Sequence, residues 1–512
     1  VVHRLPPVTP GEWYTIRLVL DVTARQFDIF IDGRQFAPNG GAVPSRWPFR
    51  DSGAADINHL MFGVGAAQQG TLGVDNVMVY RDPLPTPPGP VLDVRQAPYH
   101  AAGEGVTDDT AAIQRAIDDV PAGGTVLLRG GVFLTGTLRL KSDMTLWVNR
   151  DAVLRGTQDE ARYPLFDAPT TGTPSVGGII RRALILSVGA DNVTITGGGT
   201  IDGDGNKPEW IDPDTRNTVL RPVLMFLTKG RDISVRGVHM QNAAMWAIVA
   251  AEDDGVLIAD VTVDSDLTGE RDGVDIVDSH DVLVERVSVW SDDDAICLKS
   301  YSTKGVDGVT VRLATVGNST RANGVKLGTA SFGAFRNVVV EDVLVKHVDK
   351  SALTVTVVDG ATAANLTFRR VAIDDALRTL FVLLGKRNEA TSLPRWVSGI
   401  RFEDIAATNL VEPSAISGQA LDGTTYRLYD VLLSEVHQVV AGGVRQMPPE
   451  PAEYAGIYPE GNYWTGNSKL PTYGHYFRHI DGLTVRASTT GVRQSDVRPA
   501  LALRDAWNAT VT

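Results

Sequence analysis

The feature that most constrains the fold of this chain is a short β-branched run that recurs at a nearly constant interval. The runs ISV, VLI, VLV, VTV, VVV and LTF begin at positions 233, 256, 282, 309, 338 and 366, so they are 23 to 29 residues apart. Longer phrases repeat with them, such as VLIADVTVDSD and VLVERVSVWSD. A period in the twenties, built of strands and turns, predicts a solenoid of stacked coils. The predicted fold class is therefore all-β, a parallel β-helix.

A proline-rich segment divides the chain into two predicted parts. Residues 81–90, RDPLPTPPGP, contain five prolines, which neither continue a helix nor donate to a sheet. We predict a linker there, a small antiparallel β-sandwich at residues 1–80, and the β-helix at residues 91–512. At the start of the β-helix, GVTDDTAAIQRAIDDV has the apolar spacing of an amphipathic helix, with Thr107 or Asp108 as its cap. Such a helix covers the unpaired end of a solenoid.

Composition excludes several functions. The formal net charge of -13 argues against nucleic acid as a partner, because binding phosphates requires a basic face. No apolar run reaches the length of about 18 residues that spans a membrane. Cys297 is the only cysteine, so an internal disulfide is impossible. The chain begins at Val1 without a methionine or a signal peptide, and we expect it to be processed or trimmed there.

Two acidic segments lie about one period apart. Asp272 belongs to ERDGVDIVDS, and Asp293 and Asp294 belong to SDDDAICLKS, 21 to 22 positions later. Stacked strands are about 4.8 Å apart, so the three carboxylates are expected to meet on one face. Such a cluster separates pKa values and so provides a general acid and a general base.

The neighbouring aspartates are expected to have lesser roles. We predict that Asp292 is a solvated corner residue, and that Asp275 and Asp278 lie in a turn or at the rim of the site. The segment IDGDGNKPEW is rich in aspartate and glycine but lacks the full spacing of a calcium loop, so no metal is predicted there.

These motifs carry a resemblance to a known family. The helix segment followed by GGTVLLRGGVF resembles the opening of pectin-lyase-like β-helices, which implies that the parallel β-helix is right-handed. ERDGVDIVDS and SDDDAICLKS resemble the N-T-D-G-x-D and G-D-D-x-I-x-x-K-S segments of glycoside hydrolase family 28, the polygalacturonase family. The resemblance implies an inverting glycosidase without a cofactor, in which Asp294 is the general acid and Asp272 and Asp293 activate water.

The sequence departs from that family on the next two coils. Asn323 stands where the family has a histidine, and Thr354 and Thr356 stand where it has arginine and lysine. Arginine is hard to replace in carboxylate recognition, so the substrate is expected to differ from plain polygalacturonan. Candidate substrate-binding residues, predicted beside the carboxylates or at the rim of the cleft, are Asn323, Lys326, Lys299, Arg336, Trp246, His475 and Arg478.

Several alternatives stay open at this point. The substrate is a pectin-related polysaccharide or oligosaccharide, such as rhamnogalacturonan, or else a neutral glycan. A polysaccharide lyase and a non-catalytic sugar-binding β-helix are the alternative functions. Long inserts around 156–185, 385–397 and 445–468 favour exo action by closing one end of the groove. A polysaccharide substrate favours a secreted or periplasmic bacterial protein.

The N-terminal part has its own resemblance. The alternation in EWYTIRLVLDVTARQFDIFIDGRQF predicts antiparallel strands. The pattern W-x-x-I followed by F-x-x-x-x-D-G resembles the last strands of a laminin-G-like, concanavalin-type jelly roll. Such a part either binds sugar or serves as a structural appendage.

Overall fold

The computed structural model divides the chain into two compact units, Val1–Pro88 and Gly89–Thr512. It describes residues 14, 16–21, 26–31, 34–36, 47–48, 86–167, 181–214, 220–266, 269–387, 391–453 and 469–512. Part of the predicted linker at 81–90 lies outside these residues, and the predicted domain limits stay predictions. No helix within the described ranges has both the length and the apolar character needed to cross a bilayer.

The first unit contains an antiparallel sheet of four strands. These are β1 Ile16–Asp21, β2 Gln26–Ile31, β3 Arg34–Phe36 and β4 Trp47–Pro48. Strand β2 pairs with each of the other three. The two longer strands come from the alternating segment of the sequence. The laminin-G-like resemblance of this unit stays a prediction.

The second unit is built almost entirely of strands. They are β5 Val91–Asp93, β6 Glu104–Asp108, β7 Gly124–Leu128, β8 Gly131–Thr135, β9 Leu138–Leu140, β10 Met144–Val148, β11 Ala152–Gly156, β12 Ala183–Val188, β13 Val193–Thr196, β14 Thr200–Asp202, β15 Val223–Thr228, β16 Arg231–Arg236, β17 His239–Gln241, β18 Ile248–Ala251, β19 Asp254–Ala259, β20 Thr262–Ser265, β21 Val274–Val277, β22 His280–Glu285, β23 Ser288–Ser291, β24 Ile296–Ser300, β25 Val306–Ser319, β26 Val325–Ser331, β27 Phe335–Val357, β28 Ala363–Leu384, β29 Val397–Leu410, β30 Ser414–Ser417, β31 Gln419–Leu421, β32 Thr424–Tyr426, β33 Leu428–Gly442, β34 His475–Arg486, β35 Thr489–Gln494, β36 Leu501–Trp507 and β37 Thr510–Val511. The helices are α1 Thr110–Asp119 and α2 Pro208–Ile211, with a 3-10 turn at Glu160–Arg162.

The strands stack in parallel from coil to coil. Strand β21 pairs with β18 and β24, and β22 pairs with β19 and β25. The β-branched runs of the sequence repeat lie on top of one another, in the register Ile233, Val256, Val282, Val309, Val338 and Leu366. The predicted fold class, a parallel β-helix preceded by an antiparallel segment, is confirmed.

One column of paired strands carries the candidate site, and we call it the site column. It consists of β12, β15, β18, β21, β24, β26, the segment 353–357 of β27, the segment 380–384 of β28, and β30, β34 and β36. Its inward stack runs through Ile185, Met225, Ile248, Val274, Ile296, Val325, Leu353 and Leu380. All of these side chains are buried in the main core. Because side chains alternate along a strand, the next position of each strand points outward.

Helix α1 covers the first coils. It buries Ile113, Ala116 and Ile117, in agreement with the predicted apolar face. The cap differs from the prediction, because the residue before the helix is Asp109 rather than Thr107 or Asp108. The Asp109 carboxylate instead accepts hydrogen bonds from the backbone N–H of Ala102 and of Gly103, at 2.6 and 3.0 Å.

We expect the substitution Ile113→Ala to lower the free energy of unfolding by about 2–5 kcal/mol, because it leaves a cavity under the capping helix. Urea denaturation followed by circular dichroism measures the change. Ala111→Ser, at an exposed position of the same helix, is the control and should change the stability little. An Ile113→Ala protein as stable as the parent would contradict the role of the helix as a cap.

Candidate active site

The outward stack of the site column changes from apolar to polar and back. From β12 to β36 it reads Leu186, Phe226, Val249, Asp275, Cys297, Lys326, Thr354, Phe381, Ala415, Tyr476 and Ala502. The polar section therefore covers four coils. At about 4.8 Å per coil, it is about 14 Å long.

The predicted carboxylates meet at this polar section. The backbone N–H of Gly273 donates to the carbonyl oxygen of Asp294 at 3.0 Å, so Asp272 stacks on Asp294. A carboxylate oxygen of each of these two aspartates lies within 4.8 Å of the other and of the Cys297 sulfur. Asp272 and Asp294 are buried, whereas Asp293 is half-buried and so is the member of the group that reaches solvent.

Two lysines neutralise part of this charge. Lys299 Nζ lies 2.5 Å from an oxygen of Asp272 and also donates to Asp275. The same ammonium lies 3.7 Å from the centre of the Trp246 ring, an arrangement that favours a cation. Trp246 is thus held by the site lysine as well as by its apolar neighbours.

The second lysine and an asparagine hold Asp294. Lys326 Nζ lies 2.9 Å from Asp294 Oδ2. Asn323 donates to Asp294 Oδ1 from its backbone N–H at 3.0 Å and from its side-chain Nδ2 at 2.8 Å. The Asn323 side-chain oxygen accepts from the Thr354 hydroxyl at 2.8 Å, which fixes the orientation of the amide. Asn323 is fully buried, so it positions Asp294 rather than lining the cleft as predicted.

The lysines separate the pKa values of the carboxyl groups. Burial alone would raise the pKa of Asp294, but the charges of Lys326, Lys299 and Lys350 hold it well below its usual range. Burial and the charges of Asp272 and Asp294 raise the pKa of Asp293 to about 7.

The pair beside Lys299 keeps protons more tightly than usual. Burial and the neighbouring charge of Asp275 raise the pKa of Asp272 well above its usual range. Burial raises the pKa of Asp275 to about 6, although Lys299 opposes this effect. We interpret these directions as one proton shared between Asp272 and Asp275.

The group is electrically balanced when two of its four carboxyl groups keep a proton, because it contains two contacting ammonium groups. Asp294 is ionised, Asp293 is protonated up to neutral pH, and Asp272 and Asp275 share the other proton. A general acid must carry a proton at the working pH. The charges therefore favour Asp293 as the proton donor, in contrast to the prediction of Asp294 from the sequence.

Two of the three neighbouring aspartates, Asp292 and Asp275, differ from their predicted environments. Asp292 is buried rather than solvated, and it accepts from the Arg271 backbone N–H at 3.2 Å. Burial and the charge of Asp293 raise the pKa of Asp292 to about 7. Asp275 is buried in strand β21 as a partner of Lys299, and Asp278 is buried, accepting from the Ser300 hydroxyl at 2.6 Å. The predicted turn or rim position is therefore wrong for Asp275.

The structure does not bring three predicted ligands to the carboxylates. Arg336 is exposed on the neighbouring column, in register with Asp307 and Ala364. His475 continues the inward stack, where burial lowers its pKa to about 4. Arg478 lies four coils beyond Lys326, or about 19 Å along the axis, and is paired with Glu453. The long insert before His475 had hidden this separation in the sequence.

Sequence reasoning missed Lys350. Its charge acts on both Asp293 and Asp294, and its side chain is half-buried. It stands at the start of the coil KSALTVTVV, whereas basic residues were sought at Thr354 and Thr356. The signal available in the sequence was its position 28 residues after Ala322, which is one period later.

The donor atoms of Asp272, Asp294 and Cys297 are close enough together to suggest a metal centre. Both carboxylates, however, already accept from ammonium groups, those of Lys299 and Lys326. A divalent cation would have to displace these positive charges. The residues present therefore fit a proton-transfer site better than a metal site.

Comparisons with known proteins agree with this geometry. The model of the family described as glycosyl hydrolases family 28 matches residues 170–421. An endo-polygalacturonase of Pectobacterium carotovorum subsp. carotovorum is 26% identical over 323 residues, covering 58% of this chain and 77% of that protein.

Solved structures show the same fold. The family 28 exopolygalacturonase of Yersinia enterocolitica superposes with a TM-score of 0.62 at 16% identity, covering 94% of this chain and 83% of that one. The exopolygalacturonase of Thermotoga maritima superposes with a TM-score of 0.59 at 20% identity, covering 77% of this chain and 92% of that one.

The raised pKa of Asp293 predicts a change of stability with pH. A carboxyl group whose pKa is raised from 3.8 to about 7 on folding stabilises the fold at low pH, and this contribution is lost as the pH rises to about 7. We expect Asp293→Asn to melt at a higher temperature than the parent at pH 8, and at a similar temperature at pH 4. Thermal denaturation at both pH values measures this, with Asp281→Asn at an exposed position of strand β22 as the control. Equal melting temperatures at pH 8 would contradict the assignment.

Proposed function

This chain carries a glycosyl hydrolase family 28 domain and is a glycosidase, and from this premise we propose that it hydrolyses a pectin-related polysaccharide or oligosaccharide. The observation that carries the proposal is the meeting of Asp272, Asp293 and Asp294 in the polar section of the site column. The names of the similar proteins, which are polygalacturonases, support a pectic substrate. We also propose that the protein is secreted or exported to the periplasm, because a polysaccharide substrate is met outside the cytoplasm.

In the proposed reaction, Asp293 is the general acid. It is the half-buried member of the group, so it is open to a bound sugar, and it keeps its proton up to neutral pH. It donates this proton to the glycosidic oxygen as the bond to the anomeric carbon breaks.

Asp294 and Asp272 form the water-binding side. Their nearest oxygens lie no more than 4.8 Å apart, so one water molecule can donate to both at the usual distance of about 2.7–2.8 Å. The ionised Asp294 accepts the proton of this water as it attacks. Attack from the face opposite the leaving group inverts the anomeric configuration.

We expect Asp293→Asn to lower kcat by about 10²- to 10⁴-fold, because general acid catalysis contributes about that much. Release of reducing ends from polygalacturonate and rhamnogalacturonan measures this. Asp292→Asn, which alters the adjacent aspartate outside the proposed reaction, is the control and should keep most of the activity. Full activity of Asp293→Asn would rule out its role as the acid.

The products distinguish the proposed hydrolase from the two alternatives. Proton NMR of the first turnover should show the inverted anomer. An unsaturated product that absorbs ultraviolet light would instead indicate a lyase. Binding to the polysaccharides without release of reducing ends would indicate a non-catalytic sugar-binding β-helix.

We also propose exo action, because apolar side chains cover the outward face on both sides of the polar section. On one side, Phe166 from the first insert packs on Phe226, with ring centres 4.9 Å apart. On the other side, Leu470 packs in a cluster with Phe381 and Tyr476. A polar section of about 14 Å between two apolar clusters suits the end of a sugar chain better than a long internal segment.

Exo action predicts that mono- or disaccharides are the only early products. Chromatography of a digest stopped at low conversion measures this, together with the viscosity of the polymer, which should fall slowly. A commercial endo-polygalacturonase serves as the reference. A ladder of intermediate oligosaccharides at low conversion would show that the enzyme cuts internal bonds.

A further inference from the structure

We propose that Lys350 binds the carboxylate of a uronate unit of the substrate beside the proton donor Asp293. This inference rests on the proposed function, because it assigns the charge of the sugar that the same site accepts. It concerns a residue that lies outside the two positions, 354 and 356, at which a basic side chain was expected from the sequence.

The backbone places Lys350 on the catalytic stack. Its N–H donates to the carbonyl oxygen of Ala322 at 3.0 Å, and the N–H of the following Ser351 donates to the side chain of Asn323 at 3.2 Å. Asn323 in turn holds Asp294. The backbone of Lys350 therefore lies two coils beyond Asp293. Its four-carbon side chain can span much of the roughly 10 Å between these two positions.

Lys350 differs from the other lysines of the site in its partners. Lys299 is bound to Asp272 and Asp275, and Lys326 is bound to Asp294. Lys350 is half-buried, and none of the residues that the structure describes forms an ion pair with it. A partly desolvated ammonium without a counter-ion gains most from binding an anion.

An acidic sugar needs such a cation at this position. The ionised Asp294 repels any carboxylate that approaches the reacting bond. Thr354 and Thr356, on the same coil as Lys350, are buried and neutral, and the nearby Arg321 already faces Asp292 at 3.9 Å. Among the cations that the structure describes here, Lys350 can therefore offset the repulsion without breaking an ion pair to a catalytic carboxylate.

Binding measurements test the proposal independently of turnover. The probes are trigalacturonate and its fully methyl-esterified, uncharged form, titrated by calorimetry into Asp293→Asn protein with or without Lys350→Gln. A hydrogen bond between charged groups is stronger than a neutral one, so Lys350→Gln should raise the Kd for trigalacturonate at least about tenfold. The Kd for the ester should change less than about twofold, and Lys350→Arg should restore most of the affinity for the acid.

Arg336→Gln removes one positive charge from the neighbouring column and is the charge-matched control, with no expected change in either Kd. The proposal would be overturned if Lys350→Gln weakened the binding of both probes equally. It would also be overturned if the protein that keeps Lys350 bound the ester more tightly than the acid. If neither probe binds to the parent, the Lys350 proposal is also wrong.

Hydrolysis is measured in a separate experiment. In the catalytically intact protein, Lys350→Gln should raise KM for polygalacturonate more than it lowers kcat. It should also move the alkaline limb of the pH profile upward, because Lys350 lowers the pKa of Asp293. A parent that binds trigalacturonate through Lys350 but releases no reducing end would refute the proposed hydrolysis and leave the binding role standing.

Discussion

The site depends on one constraint, the in-register stacking of parallel coils at a spacing of about 4.8 Å. Each coil contributes one residue to every stack, so side chains far apart in the sequence become neighbours along the axis. In the inward stack this spacing buries apolar side chains against each other. Just before the strands of the site column, the same spacing forces charged groups together, as with Asp272 and Asp294.

Stacked carboxylates are tolerable here because a lysine of the next coil contacts them: Lys299 contacts Asp272 and Asp275, and Lys326 contacts Asp294. Asp275, Cys297 and Lys326 are direct neighbours in one stack, while Lys299 reaches back to the coil before it. Removing one partner would leave a buried charge without compensation, which is costly. This arrangement leaves Asp293 at the edge of the group. Among the ion pairs of the described residues, neither Lys299 nor Lys326 contacts Asp293. Its raised pKa is a consequence of that position.

The fold and the core of the site could be predicted from the sequence. The period of the β-branched runs is visible in the chain, and it places Asp272 beside Asp294 by counting alone. Lys299 and Lys326 were predicted as candidates from their places in SDDDAICLKS and ANGVKLGT, as basic residues that could replace the missing ones. Counting failed where the period is broken: the insert before His475 concealed that Arg478 lies four coils from Lys326. It also failed for Asn323, because its family position suggested the cleft while its side chain is buried beneath Asp294.

By itself the sequence determined the β-helix and the coils on which the carboxylates lie, because periodicity is a property of the chain. The tertiary structure decided which carboxyl keeps its proton and which lysine is left without an ion pair in the described part of the chain. Both depend on where flexible side chains end. Lys326 ends at Asp294 and lowers its pKa, whereas Lys350 lowers the pKa of Asp293 through its charge, with no ion pair between the two among the described residues. Spacing in the sequence determines which stack a residue joins, but only packing determines where the end of its side chain lies.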